Sequence, residues 1–448
     1  ITRKTKKRNM TRRLIQELSF EDFMNNYEAI NPLKTSERLK KEVSEILEEV
    51  KLSEDKALIN FSKKFDNVEF SSAQNFKYEK NDFKNAYEKL DSKIIKNLEY
   101  LKLRITKFHS KKTVTGWKSE DSAFNEYGQI VRPINRVGLY APGGTATYPS
   151  SVLMTSVLAN IAGVKEIILA FPPSDENITN LMLACCHIGG VTEAFSVGGA
   201  QSIAAMAFGT ESIKKVDKIF GPGNQYVAEA KRQVYGIVGI DSLTGPSEVM
   251  IIADDSANPE YIAADLLAQA EHGVDSSCFL VLIGKEIKKN ITDALQKQLS
   301  NLKRSAIAKK SLENFSFLVE VEKFDEAELI CNFVHPEHLQ ISLENSEQLA
   351  KENLSAGAIF IGSSNSAVFG DYCAGPSHVI PTNGASRFSS QVNLSDFFVT
   401  SSYSILAENH DSDELQKVID NSIDIAEMEG LFAHSEALKY RKKNIKSN

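Results

Sequence analysis

The chain has 448 residues, 42% apolar and 25% charged, with a formal net charge of −7. That length exceeds what one hydrophobic core normally serves, so more than one domain is expected. Residues 1–13 carry seven basic side chains and no acid, which leaves the remainder at −7 − 7 = −14 and argues against a general nucleic-acid binder.

Residues 1–14 are expected to form a basic, disordered head beginning at a processed end; a nucleic-acid arm or a transit peptide is the sharper alternative. No apolar run approaches the ~20 residues of a membrane-spanning helix, and no hydrophobic segment follows the head as in a secretory signal. Cys185, Cys186, Cys278, Cys331 and Cys373 are odd in number and form no CxxC pair. That usage fits a reduced cytoplasmic protein with neither a disulfide framework nor a thiolate zinc site, so nitrogen and oxygen would hold any metal.

Residues 15–128 read as mostly helical, with Thr35–Phe65 and Asn81–Phe108 showing apolar residues at three- and four-residue spacing among Lys and Glu. His109 lies in a lysine-rich patch and is expected to be solvated. Residues 129–245 alternate short apolar runs (137–140, 166–171, 194–197, 216–220) with helical patterns (148–161, 177–188, 200–208, 225–235). Residues 246–383 repeat that rhythm, with strands at 249–253, 279–283, 317–321, 339–341 and 358–361 and helices at 258–272, 286–302, 325–333 and 346–351. This alternation predicts an α/β protein with parallel sheets and crossover helices. Residues 384–448 form a tail with a helix over 411–428 and a further helical stretch.

In the first half, the motifs stand where strands end: YAPGG (140–144), GGAQ (198–201) and GPGN (221–224). Ligands of open parallel sheets sit outside the carboxyl ends of the strands, where glycines let backbone N–H groups approach a phosphate or ribose. None is GxGxxG, so tight turns are the plain reading of these alone. The second half carries DLLAQAEHG (265–273), HPEHL (335–339) and GDYCAGPSHVIP (370–381), and the tail EGLFAH (429–434). Asn258 suits a helix cap, Pro259 the first turn and Gly273 a stop, so Gln269 and His272 are expected on one face of a final helical turn. His272, His335, His338, His378 and His434, five of eight histidines, fall in these motifs with a carboxylate or amide close by. A shared metal and acid–base site accounts for this better than scattered structural histidines. His, Asp and amide ligands without Cys suit Zn²⁺, with Mn²⁺ or Co²⁺ next, and an adjacent Glu–His pair can divide proton abstraction from water activation.

Together VGLYAPGG, GGAQSIAA, IFGPGN, TGPSEV, DLLAQAEHG, PEHL, GDYCAGPSHVIPT and EGLFAH, in that order, resemble the histidinol dehydrogenase family from about Phe20 to the C-terminal helix. The resemblance implies two incomplete Rossmann-like parallel-sheet domains with smaller helical N- and C-terminal extensions, assembled as a homodimer. It implies oxidation of L-histidinol through an aldehyde to L-histidine with two NAD⁺ and one zinc per site. Carried over residue by residue, Gln269, His272, Asp371 and His434 would hold zinc. His338 would take the hydroxyl proton and Glu337 would activate water. Ser247, His378 and Glu429 would contact substrate, and Tyr140, Gln201 and Asn224 the dinucleotide. The tail carrying Glu429 and His434 would reach the partner subunit's site. His335 stands where the family commonly has a small residue; Pro336 re-aims the chain after it, so it is read as structural. The alternatives are a related zinc- and NAD-dependent dehydrogenase for another amino or sulfonated alcohol, and, in a different class, a zinc hydrolase using Glu337 and bound water.

Overall fold

A computed structural model describes residues 14–30, 36–143, 148–349, 353–406 and 413–445; the basic head 1–13 lies outside these. The chain divides into two compact units, one of Ile1–Lys111 with Asn135–Leu394, the other of Lys112–Ile134 with Ser395–Asn448.

The larger unit holds two six-stranded sheets built on one plan. Chain order in the first gives Arg136–Tyr140, Glu166–Ala170, Glu193–Phe195, Lys218–Phe220 and Gly239–Ile240. They lie side by side as third, second, first, fourth, fifth, all parallel. Glu248–Asp254, Ser277–Ile283, Ser316–Val321, His338–Ser342 and Ala358–Ile361 repeat that order in the second sheet, again parallel. This is the order of a dinucleotide-binding sheet short of its sixth strand, so the expected incomplete Rossmann-like halves are present. The duplication is one of topology, which explains why no residue-level repeat marks it.

The mostly helical N-terminal region also carries short strands. Lys77–Tyr78 adds an antiparallel edge to the first sheet, and Gln16–Leu18 a parallel edge to the second. Strands this short carry too little pattern to compete with the helical signal around them. His109 is buried at the end of the helix Ser92–His109 rather than solvated. The helix Ser305–Phe315, unread in the sequence, packs on the second sheet.

In the second sheet, Val249, Ile251 and Ala253 face one core with Ile262, Ala263 and Leu266 of the helix Pro259–Ala270. Met250, Ile252, Leu339 and Ile341 face the other, with Ile330 and Val334. Burying each Val, Ile, Leu or Met side chain among them contributes about 1.5–3 kcal/mol. These opposed apolar faces fix which way every side chain of the strand His338–Ser342 points.

The smaller unit is a three-stranded antiparallel sheet with Phe124–Pro133 between Trp117–Ser119 and Phe398–Leu406. The helices Asp413–Met428 and Phe432–Ile445 belong to it, with Ala123, Leu415, Ile419 and Ile423 forming a small core. Residues 112–134, which the sequence splits between the N-terminal region and the first α/β half, thus pack with the tail.

Candidate active site

A strand buried on both faces of a parallel sheet normally reads as a near-continuous apolar run. His338–Ser342 does not. Leu339 and Ile341 face one core, while His338, Gln340 and Ser342 form a buried polar row on the other side. Polar groups are held there only when their hydrogen bonds are arranged for them.

His338 stands first in the strand, opposite Val249. Its Nδ1 lies 3.0 Å from the carbonyl of Glu248, which can only accept, so Nδ1 keeps its proton in the neutral imidazole and Nε2 is the nitrogen that gains and loses one. That Nε2 is buried without a hydrogen-bond partner and lies 3.9 Å from Oδ1 of Asp371. Phe360 stacks against the ring at 6.2 Å. Glu337 is buried too; its Oε2 accepts the Glu248 N–H at 2.8 Å and sits 3.5 Å from His338 Nδ1. One backbone unit, that of Glu248, therefore orients both members of the pair. Burial pushes the His338 pKa down, but the Glu337 charge and hydrogen bond, the Asp371 charge and the Glu248 carbonyl outweigh it and raise it to about 9.

Glu248 stands within the TGPSEV motif but has no role among the expected site residues. Its side chain is buried with Oε2 unpartnered, and burial, then the Glu337 charge, pushes its carboxyl up to about 8. The available signal was an acid opening a strand otherwise apolar from Val249 to Ala253.

The helix carrying Gln269 starts as expected, with Asn258 Oδ1 accepting from Glu260 N at 2.9 Å and Pro259 in the first turn. It ends earlier, at Ala270, and Gly273 does not adopt a left-handed φ. His272 therefore lies in the turn beyond the helix, exposed, with Nδ1 2.9 Å from the Ala268 carbonyl. That bond leaves Nε2 as the nitrogen that could bind a cation. Gln269 is buried with Nε2 unpartnered, and since amide N and O are assigned by their surroundings, its oxygen can turn to a cation instead. Asp371 ends the short helix Ala367–Asp371. Gly370 lets that helix approach the sheet, because a Cβ there would meet Phe360 Cζ at 2.4 Å. Among the described residues no group of three or more His, Cys, Asp or Glu is assembled for a metal. The larger unit's share of the expected set contains only one imidazole and one carboxylate, His272 and Asp371, with the Gln269 amide, so it falls below that count. These donors nevertheless fit a zinc-type cation: oxygen, nitrogen and carboxylate, one of them a buried unpartnered amide. His272 also lines a cavity of about 480 Å³ with Tyr148, Glu271, Arg304, Tyr372 and Cys373.

His378 has both ring nitrogens engaged. Nδ1 lies 2.9 Å from the Asp371 carbonyl and Nε2 2.9 Å from Ser151 Oγ, while burial holds its pKa below the usual value. It thus braces the Asp371 turn against the helix Pro149–Ile161, and a substrate would have to displace Ser151. Ser247 lies just before the strand Glu248–Asp254, and its carbonyl accepts from Ser277 N at 3.0 Å. His335 caps the helix Phe324–Val334 in a left-handed conformation, φ 49°, with Nδ1 2.8 Å from Ser355 Oγ. Glu429 and His434 belong to the smaller unit, both exposed, Glu429 in the turn between its two helices and His434 in the first turn of the second.

On the first sheet, Tyr140 ends its first strand and the GPGN turn follows the fourth; these neighbours form the topological switch point. The Tyr140 hydroxyl accepts from Gly199 N at 3.1 Å, at the start of the helix Gly199–Phe208 that contains buried Gln201. Burial pushes this phenol up to about 12, so it remains protonated with its hydrogen free to donate. Gly221 has φ 118° and a Cβ there would meet the Tyr140 carbonyl oxygen at 2.1 Å, so only glycine fits. Fully buried Lys231 donates to Gly221 O at 3.0 Å and pairs with Asp241, whose Oδ2 accepts Gly221 N at 2.7 Å. Asn224 caps the next helix, accepting from Tyr226 N at 3.0 Å and Val227 N at 3.2 Å. The two sheets use opposite ends: Tyr140 and Asn224 lie at carboxyl ends, whereas Ser247, Glu337 and His338 lie at the amino ends of the second sheet's switch-point strands.

Paired dinucleotide-type sheets, one with glycine turns at its switch point and the other with a buried Glu–His pair, define an α/β oxidoreductase architecture. A family model described as histidinol dehydrogenase matches residues 31–442. A histidinol dehydrogenase of Listeria monocytogenes is 41% identical over 94% of this chain and 97% of its own. That of Clostridium acetobutylicum is 42% identical over 90% of this chain and 92% of its own. The crystal structure of histidinol dehydrogenase from Elizabethkingia anophelis superposes with a TM-score of 0.88 at 33% identity, covering 98% of this chain and 100% of that one. The chain belongs to the histidinol dehydrogenase family.

Proposed function

We propose that this chain oxidises L-histidinol to L-histidine through the aldehyde, the terminal steps of histidine biosynthesis, with His338 as the general base. The overall balance is one alcohol, one water and two NAD⁺ giving one carboxylate, two NADH and three protons. The observation that carries the reading is the fixed tautomer of neutral His338, the form that gains share as pH rises toward about 9. Its Nδ1–H is committed to the Glu248 carbonyl, and its buried Nε2 has no partner. A lone pair held dry in this way suits removal of a hydroxyl proton as hydride leaves carbon.

NAD⁺ supplies the hydride acceptor, and the glycine turns at Gly198–Gly199 and Gly221–Gly223, with Tyr140, Gln201 and Asn224, are the residues that would hold it. Gln269, His272 and Asp371, with His434 of a second copy, would hold Zn²⁺, which when bound would orient a nitrogen-bearing substrate rather than carry electrons. His338 takes the carbinol proton at Nε2 in the first oxidation and the hydrate proton in the second. Glu337 acts on the water that hydrates the aldehyde. It also lies on the Nδ1 edge of His338, where its charge stabilises the imidazolium formed at each step. Ser247, His378 and Glu429 are assigned to the substrate's polar groups.

Homodimerisation is part of the proposal. Met428 at 79%, Phe432 at 66% and Tyr440 at 66% are exposed around Glu429 and His434, an apolar setting suited to seating that turn against another chain. Reduced-nicotinamide absorbance after adding L-histidinol and NAD⁺ tests the reading. Two NADH per histidinol are expected; none, with hydrolysis of an ester or amide instead, would favour the zinc hydrolase.

A further inference from the structure

Beside the residues assigned to the metal and the base lies a polar knot that the catalytic scheme does not use. Asp265 sits one helical turn before Gln269 and on the same face of Pro259–Ala270. Its Oδ2 accepts from Gln340 Nε2 at 2.6 Å, and its Oδ1 from Ser366 Oγ at 2.7 Å. Gln340 is fully buried, two residues along the strand from His338 and therefore on the same face. Ser366 caps the short helix that ends in Asp371, its Oγ accepting Val368 N at 3.2 Å. Gln340 closes the triangle by accepting Ala367 N through Oε1 at 3.4 Å.

We propose that Asp265 is a positioning residue that locks the elements carrying Gln269, His338 and Asp371 into one arrangement ready to bind the metal. The proposal rests on the metal assignment made above. Two charge-assisted bonds run from one carboxylate to two other elements, so none of the three can shift without breaking a short hydrogen bond. An apolar trio of similar volume would pack this interior without the cost of desolvating an acid and an amide. What apolar packing would not supply is direction. Gln269 projects from the same helix face one turn later, and Asp371 follows Ser366 by five residues, so an error at the knot is carried to both ligands. Outer partners of this kind typically govern metal affinity by about 10–100-fold.

The test compares Asp265→Ala, Asp265→Asn and a control, Asp55→Ala, which removes another buried carboxylate, held at 2.6 Å by Ser212 Oγ. Zn²⁺ affinity is read by competition with a chromophoric chelator, coordination geometry by the visible spectrum of the Co²⁺-loaded protein, and stability by thermal unfolding without metal. Asp265→Ala is expected to weaken Zn²⁺ by about 10–100-fold and to alter the Co²⁺ bands. Asp265→Asn should recover most of the affinity, because its amide oxygen can accept from Gln340 while its NH₂ donates to Ser366 Oγ. Asp55→Ala should lower the unfolding temperature and leave Zn²⁺ affinity and the Co²⁺ spectrum unchanged. If Asp265→Ala does not fold, Ser366→Ala cuts one of the two bonds and is expected to change the same readouts in the same direction. Wild-type affinity and spectrum in Asp265→Ala, or in Ser366→Ala should the former fail to fold, would reduce the knot to plain structure and overturn the proposal. Equal weakening by Asp55→Ala would overturn it as well. A wild-type protein that binds neither metal would overturn the metal assignment along with it, an outcome distinct from the others.

Discussion

Glu337→Gln separates the two jobs that geometry offers this carboxylate. The amide keeps the shape and can still accept the Glu248 N–H now bound at 2.8 Å, so the backbone arrangement survives. It loses the negative charge 3.5 Å from His338 Nδ1 and the capacity to take a proton from water. At that separation two unit charges interact by roughly 5 kcal/mol at an effective dielectric constant of about 20, an upper bound on what the imidazolium loses. His338, raised to about 9 with Glu337 the foremost raising influence, should titrate at lower pH in the variant. The assay is single turnover with excess enzyme, following the two NADH equivalents separately across pH. Water enters only after the aldehyde forms, so the second NADH should be delayed by roughly 10²–10⁴-fold relative to the first, the usual cost of losing a general base. The base must be deprotonated to act, so the first step should keep its rise with pH but with its midpoint moved down. Equal slowing of both steps at every pH would refute the role in water activation and leave only charge stabilisation.

His338→Asn should slow both oxidations by ~10²–10⁴-fold while Zn²⁺ remains bound, checked by steady-state rates and metal content; a variant within a few-fold of wild type would move the base elsewhere. His272→Ala or Asp371→Ala should release most of the metal and nearly all turnover, measured by metal analysis after dialysis. Stability without metal should fall as pH rises. Glu248, raised to about 8, favours the folded state fully below its unfolded value near 4.5 and loses that contribution by about 8; His338 loses its own between its unfolded 6.5 and about 9. Denaturant midpoints should therefore decline from pH 5 to 9, and Glu248→Gln should flatten the part below about 8; a midpoint that rises over this range would contradict the sign.

The alternation of apolar runs with helical periods made both α/β halves legible, because parallel strands buried on two faces leave continuous apolar runs. What stayed hidden depended on distant partners. Phe124–Pro133 pairs with Phe398–Leu406 across some 270 residues of chain, and neither shows a clean period of its own. Lys231 reads as a solvated lysine on an amphipathic helix, yet it is buried against Asp241 beneath the GPGN turn. At the site, the Glu337–His338 pair was readable as a motif, whereas its fixed tautomer was not, since that depends on the backbone of Glu248 one strand away. Asp265, Gln340 and Ser366 are ordinary polar residues in sequence, and only the register of His338–Ser342 against its neighbours brings them together.

In the proposed reaction His338, supported by Glu337 and by a metal on Gln269, His272 and Asp371, drives both oxidations of histidinol. NADH formation from L-histidinol and NAD⁺, run with and without a strong chelator, tests it most directly. Two NADH per histidinol are expected, abolished after chelation and restored by Zn²⁺. Metal-independent turnover, or no NADH from histidinol in the fully metallated protein, would contradict it.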